Sequence, residues 1–178
     1  DWYQLGMVLG DMWWPKNHMA GLDIFTTLYD RDKQWRFHIR GQHETGTEYW
    51  RVMYEHYLAS RGIDHVVTLY PPQDDMNAWY EDIDILLHPG MKEAFCYAVG
   101  EAMAKGIHAI VNEFYGVRDI WPSYMLYHTH DHAVNKILAI QRQRLKYPTF
   151  ANVSGRQHIM RYCNAMDMFK QIDALLGL

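Results

Sequence analysis

Short β-like runs alternate with amphipathic helical stretches along the whole chain, and this alternation limits the possible folds more than any other feature. Strand-like runs fall at residues 3–9, 35–40, 65–70, 83–88, 107–112 and 124–128. The first four end at strand breakers: Gly10, Gly41, Pro71 with Pro72, and Pro89 with Gly90. Between the first two runs, Asn17 can cap a helix to about residue 29, with Met19, Leu22, Ile24, Phe25 and Leu28 as its apolar positions. Thr45 and Glu48 have capping-box spacing, with Thr47 a rival cap, for a helix ending near Gly62, a plausible left-handed C′ residue. Further helices are predicted over 75–81, over 95–105 with Gly106 closing it, from Asp131 as cap to about 145, and over 157–176. Residues 146–155 read as a linker. Strands that alternate with helices imply right-handed crossovers and a parallel sheet covered on both faces. The predicted class is therefore α/β: a doubly wound, Rossmann-like parallel sheet of about six strands. It would form a single domain over 1–178, with a C-terminal helix within 156–178. In strand order 3-2-1-4-5-6 the first and fourth strands border the topological switch point, and a ligand belongs beyond their C-terminal ends. The loops at 10–17 and 89–97 are where chemistry is expected.

Charge and composition exclude several classes. The chain has 17 Lys and Arg against 21 Asp and Glu, and no dense basic run, so a nucleic-acid partner is not expected. Cys96 and Cys163 are the only cysteines, too few for a disulfide framework. Nothing resembles a signal peptide, so a cytoplasmic location is expected. No apolar run approaches the ~20 residues of a transmembrane segment. The first strand starts almost without lead-in, which reads as a fragment of a longer protein.

The first loop reads GDMWWPKN, with Lys16 beside the start of a helix. A cation there, with the free N–H groups of the helix, can hold phosphate oxygens. Taken alone, the loop favours Lys16 as an ordinary solvated lysine and Gly10 as an ordinary turn residue. The second loop carries more information. It reads HPGMKEAFCYAVGEAMAKGI, with Glu93 just before a helix and Glu101 about two turns into it. Carboxylates accept hydrogen bonds from hydroxyls, whereas the helix start favours an anion. Two acids on either side of such a helix start suit a ligand with hydroxyls on both sides of its phosphates, as in a nucleotide-sugar. The plain alternative is a first-turn acid and a surface acid.

The run from Glu93 to Gly106 resembles the E-x7-E signature of retaining GT-B glycosyltransferases, especially the large family four, where the pattern is approximately E-G-F-G-x-x-x-x-E-A-M-A-x-G. Gly10 to Lys16 has the spacing of that family's G-R-L-x-x-x-K element. Residues 84–89 resemble its strand ending in P-S, and 116–120 its G-x-P-E-I segment. The resemblance covers most of residues 5–140 and implies one half of a GT-B fold, binding a nucleotide-sugar donor such as a UDP- or GDP-sugar. It implies that Lys16 contacts the diphosphate, Glu93 the donor sugar hydroxyls and Glu101 the ribose. Backbone N–H groups near Ala94, Phe95, Cys96 and Tyr97 would cradle the phosphates, and the base would lie by Tyr70 and Pro71. It further implies transfer with retention, with Glu93 and Lys16 as the catalytic pair, no cofactor and no metal. An N-terminal acceptor domain would be the missing partner, so that this chain would not turn over alone; membrane association would be peripheral.

Three positions depart from the family pattern. Asp11 stands where the family has Arg, and Ala94 and Cys96 replace glycines. Arg118 or Lys92 is a candidate for the missing positive charge. The departures support an alternative, a degenerate non-catalytic binding or interaction module on the same fold. A more distant alternative is a metal-dependent hydrolase using His128, His130 and His132 in YMLYHTHDH, although a His-rich turn opening a helix is preferred. A sugar-nucleotide epimerase of related architecture fits the run less well. Trp13 and Trp14 lie in the first loop, facing either an interdomain cleft or the core.

Overall fold

The computed structural model describes residues 2–11, 14–42, 48–72, 75–147 and 151–163. Six strands form one parallel sheet: β1 (Tyr3–Asp11), β2 (Trp35–Gln42), β3 (Val67–Tyr70), β4 (Ile85–His88), β5 (His108–Asn112) and β6 (Leu126–Tyr127). Their order is β3-β2-β1-β4-β5-β6, the doubly wound arrangement. The helices are α1 (His18–Arg31), α2 (Glu48–Arg61), α3 (Asn77–Glu81), α4 (Tyr97–Ala104), α5 (Val117–Ile120), α6 (His130–Lys146) and α7 (Val153–Tyr162).

Period-two side-chain alternation divides the interior between the two faces of the sheet. Leu5, Met7 and Leu9 of β1, Ile85 and Leu87 of β4, and Ile110 of β5 join one core with Leu22, Phe25 and Leu28 of α1 and Ile137 of α6. Leu86 of β4 and Ala109 and Val111 of β5 point the other way, against Val99, Ala102 and Met103 of α4, Trp121 and Trp79. All four residues of β4 are buried, as expected of a central parallel strand apolar on both faces. Each such aliphatic side chain contributes about 1.5–3 kcal/mol by leaving water. On the second face Gly6 allows close packing: a Cβ there would lie 2.8 Å from Ile83 Cγ2 and 2.9 Å from the Trp79 ring.

Several expected boundaries shift, each for a local reason. Residues 64–66 form a 3-10 turn, so β3 starts only at Val67. The Asp75 side chain accepts from Asn77 N at 2.8 Å, a turn ahead of α3, which delays that helix. α4 starts at Tyr97 rather than 95 because Cys96 is left-handed, at φ 62°. Asn17 holds the cap position of α1, but at φ 51° and with no capping bond from its side chain. The cap of α6 is Thr129, which accepts from His132 N at 3.1 Å, and not Asp131, which lies in the first turn. Only Leu126–Tyr127 of the expected sixth strand is extended, after a 3-10 turn at Ser123–Met125.

The end of the expected linker is firmly held. Buried Asn152 donates its backbone N–H to Gly106 O at 2.7 Å and its side-chain amide to Ile107 O at 3.3 Å, and its Oδ1 accepts from Gly155 N at 2.8 Å. This cap starts α7 at Val153, four residues before the expected 157. The short helix α5, entered through left-handed Gly116 at φ 84°, was not expected. The capping reading of Thr45 and Thr47, Trp13, and the last helix beyond residue 163 fall outside the described residues.

Candidate functional site

The strand order puts the topological switch point between β1 and β4, and the loops leaving these two strands meet there. Met91 N donates to Pro15 O at 2.8 Å, and Asn112 Nδ2, at the end of β5, donates to Gly90 O at 3.1 Å. A side chain at Gly90 would come within 2.7 Å of His88 Nε2, so the absence of a Cβ there leaves room for the imidazole.

Lys16 ends the 3-10 turn Trp14–Lys16, and its ammonium forms an ion pair with Glu93 across the crevice. With Pro15, Lys92 and Ala94, these two line a cleft of about 340 Å³. Among the described residues, only Asn17 and Cys96 are non-glycine residues with positive φ, at 51° and 62°. Each immediately precedes the helix that starts at one of the two loops, α1 and α4. Asparagine tolerates this region, but for cysteine it costs about 1–2 kcal/mol. Backbone strain is thus held at Cys96, on the α4 side of the crevice.

The Cys96 side chain is buried, with Sγ 3.4 Å from His88 Nδ1. Burial pushes the thiol up to about 12; the Val99 N–H and Lys16 act against this, whereas Glu93 and Glu101 add to it. Lys16 and both glutamates of the E-x7-E run are therefore close enough to act on one sulfur atom. Burial first, and Lys16 second, lower His88 to about 3, so its imidazole is neutral. Glu101 is exposed on α4, where it accepts a hydrogen bond from the buried Tyr80 hydroxyl at 2.8 Å.

The remaining expected site residues are spread around this centre. Gly10 lies near the end of β1, opposite Gly41 and just after a register irregularity. The Phe95 ring turns into the second core, 5.1 Å from Trp121, over the space left by Gly100. Tyr97 is exposed at the first turn of α4. Tyr70 ends β3, and its hydroxyl is 2.9 Å from His38 Nδ1. Arg118 is exposed and makes two bonds to Glu113, at 2.6 and 3.0 Å, so its charge is already matched. His128 lies 2.8 Å from Glu113 Oε2 and 5.5 Å from the His132 ring, both in the turn opening α6 rather than along a strand.

Sequence reading missed two residues beside the site. His88 was legible only as part of a strand end, although a histidine closing an otherwise apolar strand at the switch point is a signal. Arg40 is buried at the end of β2, with its guanidinium 4.9 Å from the Tyr70 ring centre and bonded to Pro71 O at 2.8 Å. A cavity of about 760 Å³ also opens between α6 and the start of α7, by His108 at the N-terminal end of β5, away from these groups.

A doubly wound six-stranded sheet with a charged crevice at its switch point defines a Rossmann-like α/β domain. Residues 4–140 match the profile of the family described as glycosyl transferases group 1, and the chain belongs to that family. Comparison with curated proteins finds no match. Solved structures share the fold at low identity. The C-terminal domain of the glycosyl transferase group 1 protein LpcC from Francisella tularensis aligns over 92% of this chain and 87% of its own, at 16% identity and TM-score 0.70. Alr3699/HepE from Anabaena, in complex with UDP, aligns over 99% of this chain and 49% of its own, at 15% identity and TM-score 0.84. TarM from S. aureus, as a variant in complex with Fondaparinux, alpha-GlcNAc-glycerol and UDP, aligns over 100% and 36%, at 14% identity and TM-score 0.83. The chain thus spans less than half the length of the Anabaena and S. aureus proteins. No helix among the described residues is long and apolar enough to cross a membrane.

Proposed function

We propose that this chain is the donor half of a retaining glycosyltransferase and binds a nucleoside-diphosphate sugar in the β1–β4 crevice. The observation that carries the reading is the Lys16–Glu93 pair, set at the N-terminus of α4 and lining an open cleft. The Lys16 ammonium and the free N–H groups of the first turn of α4 meet the diphosphate charge, the arrangement that stabilises a departing anion. Glu93 accepts from sugar hydroxyls and Glu101 from the ribose, with Tyr80 orienting Glu101 from behind. Tyr70 and Pro71 border the base. The strained Cys96 supports the reading, since unfavourable backbone conformations gather at ligand sites. UDP is the first nucleotide to test, because the Anabaena and S. aureus neighbours are complexes with it. The acceptor and the groups that bind it belong to a further domain, and the metal-free phosphate contacts need no cofactor.

Thermal-shift screening with UDP, GDP, ADP and their sugars tests this. A ligand at 100 times its Kd should stabilise the fold by about 2.7 kcal/mol. The expected result is a shift with one nucleotide series that Lys16→Met abolishes. No shift with any nucleotide would instead favour a non-catalytic module, for which the replaced glycines at Ala94 and Cys96 speak. Addition of the acceptor domain, and not of a metal, is expected to be what turnover requires.

A further inference from the structure

The side chains of His88 and Cys96 have no task in donor binding, yet with Glu93 they form a compact group of three different ligand types. His88 Nδ1 is 3.4 Å from Cys96 Sγ, His88 Nε2 is 3.8 Å from Glu93 Oε1, and one ligand-capable atom from each residue falls within 4.8 Å of the others. It is the one group of three or more such residues with this spacing among the described residues. His88 is 3% exposed, and its Nε2 has no hydrogen-bond partner among the described residues. The three residues come from one short stretch with fixed backbone: the end of β4, the loop, and the cap of α4.

In a tetrahedral site with ligands at ~2.0–2.3 Å, neighbouring ligand atoms stand about 3.3–3.7 Å apart. The 3.4 and 3.8 Å distances involve opposite ring nitrogens of His88. With one nitrogen as ligand the three atoms lie within 4.8 Å of one another, a gap that a side-chain shift of about 1 Å closes to that figure. Imidazole, thiolate and carboxylate together form a donor set for a borderline-soft ion rather than for Mg²⁺ or Ca²⁺. Three protein ligands leave a fourth position open, and Glu93 borders the 340 Å³ cleft through which an ion would enter. We infer that His88, Glu93 and Cys96 bind one divalent cation of the Zn²⁺ class, which replaces the Lys16 ammonium as the partner of Glu93. Uptake forms a metal–sulfur bond, and the thiol proton is released to solvent. The ion and a donor sugar would share Glu93, so uptake is measured in the absence of nucleotide.

Co²⁺ titrated into the reduced, oxygen-free protein tests the site without a nucleotide. The expected result is 1:1 uptake with a near-ultraviolet thiolate-to-cobalt charge-transfer band, bleached by one equivalent of Zn²⁺. Cys96→Gly, whose backbone suits φ 62°, should fold and lose the band, and Cys163→Ser should keep it. His88→Gln should weaken uptake at least tenfold, and Lys16→Met, which removes the competitor for Glu93, should tighten it several-fold. Three results would overturn the inference: no thiolate band in the unaltered protein, a band that survives Cys96→Gly, or one that Cys163→Ser removes. Uptake without the band, at exposed His128 and half-buried His132, counts equally against it.

Discussion

Glu93 and Lys16 neutralise each other in the free protein, so their variants should change nucleotide affinity in opposite directions. A diphosphate that reaches Lys16 comes within about 6 Å of the Glu93 carboxylate, and two like unit charges at that distance repel by about 3 kcal/mol at an effective dielectric of ~20. The side chains are 29% and 14% exposed, so solvent and salt reduce this to about 1 kcal/mol. Glu93→Gln should therefore tighten UDP about fivefold. Lys16→Met removes a charge-assisted contact worth about 2 kcal/mol and should weaken UDP about 30-fold. For UDP-glucose the sign for Glu93→Gln reverses. The lost hydrogen bonds to sugar hydroxyls, about 2 kcal/mol for a charged acceptor, outweigh the relief of repulsion. Calorimetric titration of both variants with both ligands, at low and high salt, measures these changes. Equal weakening of UDP and UDP-glucose by Glu93→Gln would refute the reasoning, because Glu93 would then serve only to hold the loop.

Three further outcomes follow from the same geometry. Cys96→Gly should be more stable than Cys96→Ala by about 1 kcal/mol in urea unfolding, the reverse of the usual order, because only glycine escapes the cost of φ 62°; an alanine variant as stable as the glycine one would count against the left-handed cap. Asn152→Ala, which removes the cap of α7 and a bond to Ile107 O, should cost about 2 kcal/mol and speed amide exchange first in α7; uniform loss of protection would contradict a local role. His88 should make the fold acid-labile. Its folded value of about 3 lies below the ordinary 6.5, so on acidification the unfolded chain takes up a proton that the folded one refuses. The stability present above pH ~6.5 then falls by up to about 1.4 kcal/mol per pH unit toward pH 3. His88→Gln should flatten that slope by about one proton, and an unchanged slope would mean that His88 titrates freely.

The sheet was legible because strand-like runs alternate with helices and the first four are closed by glycine or proline, and parallel crossovers allow the order 3-2-1-4-5-6 that the structure adopts. The loop that carries Glu93 was legible as one of the two beside the switch point, where it meets Lys16. What was not legible depends on the backbone or on distant contacts. The helix pattern from Phe95 onward gives no sign that Cys96 turns left-handed, since cysteine has no preference for that region. Asn152 sits in a polar stretch that reads as linker, and its bonds to Gly106 and Ile107 lie 45 or more residues back in sequence. His88, Glu93 and Cys96 follow no metal-motif spacing, and the fold alone brings them together.

The backbone bond from Met91 to Pro15, and that from Asn112 to Gly90, have a consequence for binding speed and affinity. They fasten the two loops to each other and to β5 before any ligand arrives. A guest therefore meets a preorganised mouth and loses little loop entropy on entry. Its association should run close to the rate of ordinary diffusional docking, without a slow closing step within this domain.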